Sequence, residues 1–238
     1  MRANNRNNNQ IRSIIIEKNV IHGALGSCLI KWGNTHVICT AYNDNYIPPF
    51  LKGSSQGWLT AEYAMLPCCS SQRIKRDISK GKISARTQEI QRLIGRALRS
   101  TLNLHALGER QIIIDCDVIN ADGGTRVASI TGGYIALQIA IEKLLSAKII
   151  KTNPIKHQIA AVSCGILKGT CLLDLDYDED SNAEVDANFV MNTKGELIEI
   201  QASSEQKLFS QKQLMQMLEI ADSGIKSLIE IQSRVLAE

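Results

Sequence analysis

The chain has 238 residues, 44% of them hydrophobic and 21% charged, with a formal net charge of +3; a chain of this size and profile builds a globular core without disulfides or a structural metal. So small a net charge does not assign a polyanion partner, and with 4% aromatic residues a nucleic-acid site would lean on charge rather than on stacked rings. Ile14-Ile15-Ile16 is too short for a signal-peptide core, no apolar run approaches a membrane span, and the odd set of seven cysteines lacks Cys-x-x-Cys spacing, so a reducing, cytoplasmic location without a membrane partner is expected.

Taken in chain order, Met1 to Gln10 is asparagine-rich, carries Arg2 and Arg6, and reads as a polar N-terminal arm rather than core. Leu25 to Trp32 and Thr35 to Tyr42 alternate as strands around Gly33-Asn34, a two-residue hairpin signal. Pro48, Pro49, Gly53 and Gly57 mark a loop, and Trp58 to Leu66 is strand-like again. Ser84 is a candidate N-cap for a helix from about Ala85 to Leu102, with an apolar stripe of Ile90, Leu93, Ile94, Ala97 and Leu98 and a basic stripe of Arg92, Arg96 and Arg99. A strand from Ile112 to Ile119 then leads through Gly123-Gly124-Thr125-Arg126 into a helix reaching Leu145. Two further hairpins follow, Gln158 to Ile166 with Thr170 to Tyr177, and Val185 to Met191 with Glu196 to Ala202. A final helix runs from about Gln211 to Leu236, capped by Ser210. No linker divides the chain, which reads as one mixed α/β domain over residues 1–238.

Three features carry chemistry. Gly123-Gly124-Thr125-Arg126 sits between strand and helix, where glycines admit an anion close to the backbone and the free N–H groups of a helix start point at it. Thr125 adds a hydroxyl and Arg126 a fork-shaped charge. A plain glycine-rich turn capped by the threonine is the alternative. Between Arg73 and Arg99 lie nine basic residues (Arg73, Lys75, Arg76, Lys80, Lys82, Arg86, Arg92, Arg96, Arg99) against two acids, Asp77 and Glu89, an imbalance that favours a polyanion contact. Arg86 falls in the first turn of its helix, where the dipole disfavours a cation, so its presence is better explained if it helps to bind an anion; a tolerated exposed arginine is the alternative. From Asp174 to Asp186 there are seven acids and no base. Crowded carboxylates repel unless a cation relieves them, and an oxygen-only set suits Mg²⁺ or Mn²⁺; an acidic surface loop is the alternative. Cradle, basic track and acids together are the parts needed for metal-assisted chemistry at a phosphodiester.

Several of these runs resemble the ribonuclease PH family. They are Lys52-Gly53 with Gln56-Gly57-Trp58-Leu59-Thr60-Ala61-Glu62-Tyr63 and Met65-Leu66-Pro67, then Glu89 to Arg99, Ile114 to Arg126, Ala160 to Ser163, and Glu179-Asp180-Ser181 with Ala183-Glu184 and Asp186. The resemblance spans nearly the whole chain. It implies a compact α/β domain of βαβ units, shared with a ribosomal small-subunit protein, and a phosphorolytic 3′→5′ exoribonuclease that trims tRNA precursors, with ribosomal RNA processing in the same range. Inorganic phosphate would be co-substrate, Mg²⁺ (or Mn²⁺) the cofactor, nucleotidyl transfer the reverse reaction, and a homohexamer built as a trimer of dimers the assembly. By position, Arg86, Gly124, Thr125 and Arg126 resemble the phosphate-binding set. Asp180 and Asp186 resemble the catalytic, metal-associated carboxylates, and Arg73, Arg76, Arg92 and Arg99 basic positions linked with RNA or subunit contacts. The chain departs from the family pattern at Cys68, where an arginine is usual, and in its asparagine-rich start, which keeps Arg2, Arg6, Gln10 and Arg12. A silent RNA-binding ring subunit and a hydrolytic nuclease are the competing readings. The first would be expected to lose the acids or the Thr-Arg turn, and the second needs no anion cradle.

Overall fold

The computed structural model describes residue 2 and residues 5–238; residues 1, 3 and 4 of the expected N-terminal arm, and the side chains of residues 78 and 80, lie outside the described residues. Five strands, β1 (Ile14–Lys18), β2 (Gly26–Trp32), β3 (Thr35–Asp44), β4 (Trp58–Met65) and β5 (Gln111–Asn120), form one sheet in the order β1-β2-β3-β5-β4. Trp32 faces Thr35 across the two-residue turn, so the hairpin closes where glycine and asparagine place it. β4 and β5 pair in parallel, joined by the crossover helix α1 (Ala85–Ser100); α2 (Leu104–Leu107) follows. The other pairings of this sheet are antiparallel, so the βαβ organisation occurs here once. Ser84 caps α1 as its residue type demands, accepting from the Thr87 amide at 3.1 Å.

The long helix α3 (Thr125–Ser146) is apolar on nearly every side, and it is buried because it packs on β2, β3 and β5 of the first sheet and on β6 (Ile159–Leu167) of a second. The second sheet is antiparallel, with order β7-β6-β8-β9: β7 (Thr170–Leu173), β8 (Val185–Asn192) and β9 (Leu197–Ser204). Its far face carries α5 (Gln211–Ala237), opened by a capping box of Ser210 and Gln213. One continuous apolar cluster runs from Cys28 on β2 to Leu228 on α5, through both sheets.

Three expectations are corrected. β7 stops at Leu173 rather than at Tyr177, because Asp174 turns into the left-handed region (φ 56°) and a short helix, α4 (Tyr177–Ser181), follows. Ile14-Ile15-Ile16, too short for a signal-peptide core, lies in the edge strand β1, its side chains alternating between half-buried and exposed. The N-terminal stretch is not simply a solvated arm, for the Arg6 side chain is 6% exposed and ion-paired inside the protein.

Candidate active site

A cleft of about 1210 Å³ opens where the C-terminal ends of β4 and β5 meet the start of α3 and the acidic segment. Its wall includes Arg86, Gly123, Gly124, Thr125 and Arg126 together with Asp180 and Asp186, so residues far apart in sequence face one space. Arg73 and Arg76 also line it. Arg92 and Arg99 stand outside: Arg92 is exposed on α1, while Arg99 donates to the Leu59 carbonyl at 2.9 Å and lies 4.4 Å over the Trp58 ring. Arg96 is held by Glu199 of β9.

The turn leaves the start of a long helix open to the cleft. Gly123 and Gly124 both take positive φ (72° and 66°), which glycine adopts at little cost. Thr35 ties the turn down, its hydroxyl donating to the Gly123 carbonyl at 2.6 Å and accepting from the Asp122 amide at 3.0 Å. Gly124 is the N-cap of α3 and offers no side chain, so the first amides of a 22-residue helix keep no side-chain cap and present donors and a positive dipole end to the cleft. Thr125 is therefore not the cap of this helix. The Thr125 hydroxyl is engaged instead by the Tyr63 hydroxyl at 2.9 Å. Tyr63 lines the cleft, although its sequence context says only strand. Burial pushes its phenol up, while the charges of Arg86 and Arg126 pull the other way. The Arg126 guanidinium is aimed by Gln201, which accepts from it at 3.1 Å, and by Glu89 at 3.7 Å.

The structure divides the seven-acid run. Asp174, Asp176 and Glu179 are paired with Arg2, Arg6 and Arg12, and Glu184 with Lys207. Asp180 and Asp186 face the cleft, and neither carboxylate accepts a hydrogen bond from a described donor. Burial pushes Asp180 up, against the pull of Arg86 and Arg126. Asp186 is pushed up to about 6, by burial first and by the neighbouring Asp180 second. Two crowded, unpartnered oxygen ligands fit a hard divalent cation. Among the described residues no group of three or more His, Cys, Asp or Glu is placed to hold a metal. The pair would therefore supply two ligands, leaving the remainder to water and substrate oxygens, as Mg²⁺ prefers.

An uncapped helix start and two arginines thus face two carboxylates across one cleft. Comparison with known proteins gives the family and the fold. Residues 10–141 match the first domain of the 3′ exoribonuclease family, and residues 157–224 its second domain. Proteins named Ribonuclease PH from two strains of Cereibacter sphaeroides are each 53% identical to the chain over 236 residues, 99% of this chain and 100% of theirs. The fold is shared with rice (Oryza sativa) Rrp46 at TM-score 0.79 and 20% identity, covering 99% of this chain and 100% of that one. It is shared too with a chain of the Archaeoglobus fulgidus exosome, described as having RNA bound to the active site, at TM-score 0.78 and 18% identity, covering 96% and 91%. The chain belongs to the 3′ exoribonuclease family, in its ribonuclease PH branch. Among the described residues no helix is long and apolar enough to cross a membrane.

Proposed function

We propose that the chain shortens RNA from its 3′ end by phosphorolysis, with tRNA precursors as substrate and ribosomal RNA as a further one, and that it runs in reverse as a nucleotidyltransferase. The observation that carries this reading is the convergence of Arg86 and the uncapped Gly124-Thr125-Arg126 turn with Asp180 and Asp186 in one cleft. An oxygen of inorganic phosphate attacks the phosphorus joining the last two nucleotides. The bond from that phosphorus to the 3′ oxygen of the penultimate nucleotide breaks, the oxygen takes a proton, and the last nucleotide leaves as a nucleoside diphosphate. Nucleophile and target are both anions, and one unit-charge pair about 4 Å apart costs ~4 kcal/mol at an effective dielectric near 20, roughly three decades of rate.

Arg86, Arg126, the Thr125 hydroxyl and the amides beyond Gly124 hold the attacking phosphate and offset its charge. Asp180 and Asp186 would hold Mg²⁺ (or Mn²⁺), which would supply charge neutralisation for the reacting phosphates. Phosphate brings its own nucleophilic oxygens, so no histidine base is needed. Arg73 and Arg76 on the cleft wall guide the RNA strand, and Arg92, exposed on α1, and Arg99, half-buried against β4, contact RNA or a neighbouring subunit of a homohexameric ring. Residues 1–238 act as one catalytic unit, as the apolar cluster shared by both sheets supports, and the chain works in the cytoplasm.

The test is product identity from a tRNA with extra 3′ nucleotides, incubated with Mg²⁺ in the presence and absence of orthophosphate. Nucleoside diphosphates released only with phosphate are expected. Monophosphates would establish hydrolysis instead, and no release would establish a silent binding subunit.

A further inference from the structure

We propose that Arg2, Arg6 and Arg12 form a clasp that fixes the phosphate-holding turn against the Asp180–Asp186 side of the cleft, so that these three arginines are positioning residues for phosphorolysis. The inference rests on the functional reading above and extends it to a segment that touches neither substrate.

One guanidinium joins the two walls. Arg12 donates through Nη2 and Nε to the Asp174 carboxylate at 2.6 and 3.0 Å, and its backbone amide donates to the same group at 2.6 Å. Its Nη1 reaches the carbonyl of Asp122, next to the glycine pair. Asp174, fully buried, also accepts from Trp32 Nε1 at 3.0 Å. Arg6 gathers the next stretch, spanning the Asp174 carbonyl (2.8 Å), Asp176 (3.3 Å) and Glu179 (3.2 Å). Arg2 closes a fork on Glu179 at 2.7 and 2.8 Å. Glu179 directly precedes Asp180 in α4 and completes the capping box with Asp176, so a pull on Glu179 is a pull on the cleft acid.

The walls also touch directly. The Tyr177 amide donates to Asp122 at 3.2 Å, and a Cβ on Gly123 would come within 2.6 Å of the Leu175 carbonyl oxygen. The paired side chains are between 0 and 10% exposed. Desolvating that many charges is a poor route to stability, whereas multidentate guanidinium–carboxylate geometry is a good route to fixed distances. Two half-sites from distant parts of the chain must be held to a fraction of an ångström for an in-line displacement, and the clasp does this.

The test uses the full chain. Arg2→Met removes the outermost fork at the chain start, where it threatens folding least; Arg12→Lys keeps the charge but loses the fork; Asp180→Asn is the control for the site itself. Turnover and phosphate KM are measured well below each melting temperature, and binding of Mn²⁺ alone is followed by electron paramagnetic resonance. Arg2→Met is expected to lower kcat about tenfold and weaken Mn²⁺ binding severalfold while leaving phosphate KM within twofold, with partial recovery in Arg2→Lys. Arg12→Lys, which joins both walls, is expected to lower kcat further and to raise phosphate KM. If Asp180→Asn is inactive but Arg2→Met retains wild-type kcat and Mn²⁺ affinity, the clasp is overturned and the site stands. Should Asp180→Asn turn over normally, both fail. If Arg12→Lys does not fold, Arg2→Met decides alone.

Discussion

Asp186→Asn is expected to stabilise the metal-free protein while abolishing turnover. The carboxyl of Asp186 is raised from an ordinary 3.8 to about 6, by burial and then by the charge of Asp180. At ~1.36 kcal/mol per unit, ionising it in the fold costs roughly 3 kcal/mol above pH 6. The sign follows from proton affinity. The folded chain binds this proton more tightly than the unfolded chain, so the group's contribution to stability is whole below about pH 3.8 and is lost as pH rises through about 6. Asparagine carries no such penalty. For a chain of this size ~3 kcal/mol corresponds to a melting temperature about 5–10 °C higher. Thermal melts in chelator-treated buffer between pH 4 and 8 measure it, beside a phosphorolysis assay. The gap between variant and wild type should open between pH 4 and 6 and then level, and Mg²⁺ should stabilise the wild type more than the variant. A variant no more stable than wild type at pH 7.5, or a gap indifferent to pH, would refute the reasoning.

The same carboxylate sets the pH response. At low Mg²⁺, kcat/KM is expected to fall below about pH 6, and saturating Mg²⁺ should move that limb to more acid pH, because metal binds the ionised pair; a limb that ignores Mg²⁺ would contradict this. Gly123→Ala places a Cβ 2.6 Å from the Leu175 oxygen in a residue with φ 72°, and should cost about 1–3 kcal/mol together with most of the turnover; an unchanged melt would count against the close approach. Tyr63→Phe removes the bond to Thr125, with an expected loss of ~1 kcal/mol and a severalfold rise in phosphate KM; an unchanged KM would show that Thr125 orients without it.

Local signals were legible in the sequence, and pairings across the chain were not. Gly33-Asn34, Ser84 and Ser210 act at the positions their chemistry marks, because turns and caps are decided within a few residues. β1 is not marked in the sequence, since five residues at a sheet edge carry too little periodicity, and β7 ends short of its strand-like run because the backbone reversal at Asp174 is held by Arg12 and Trp32 from the far end of the chain. The acidic run was legible as a cluster of like charge, yet which acids stay free for the cleft depends on partners about 170 residues away. The basic stripe of α1 shows the same limit. Arg96 and Arg99 look alike on a helical wheel, but one meets Glu199 and the other a carbonyl and an indole ring.

The claim that Arg86 and Arg126 hold free phosphate is tested most directly by calorimetric titration of orthophosphate into the wild type and into Arg86→Ala, Arg126→Ala and Arg92→Ala. Losing a charge-assisted contact to phosphate should weaken binding about tenfold or more in each of the first two, with Arg92→Ala, outside the cleft, within twofold of wild type. Wild-type affinity in both Arg86→Ala and Arg126→Ala would contradict the account.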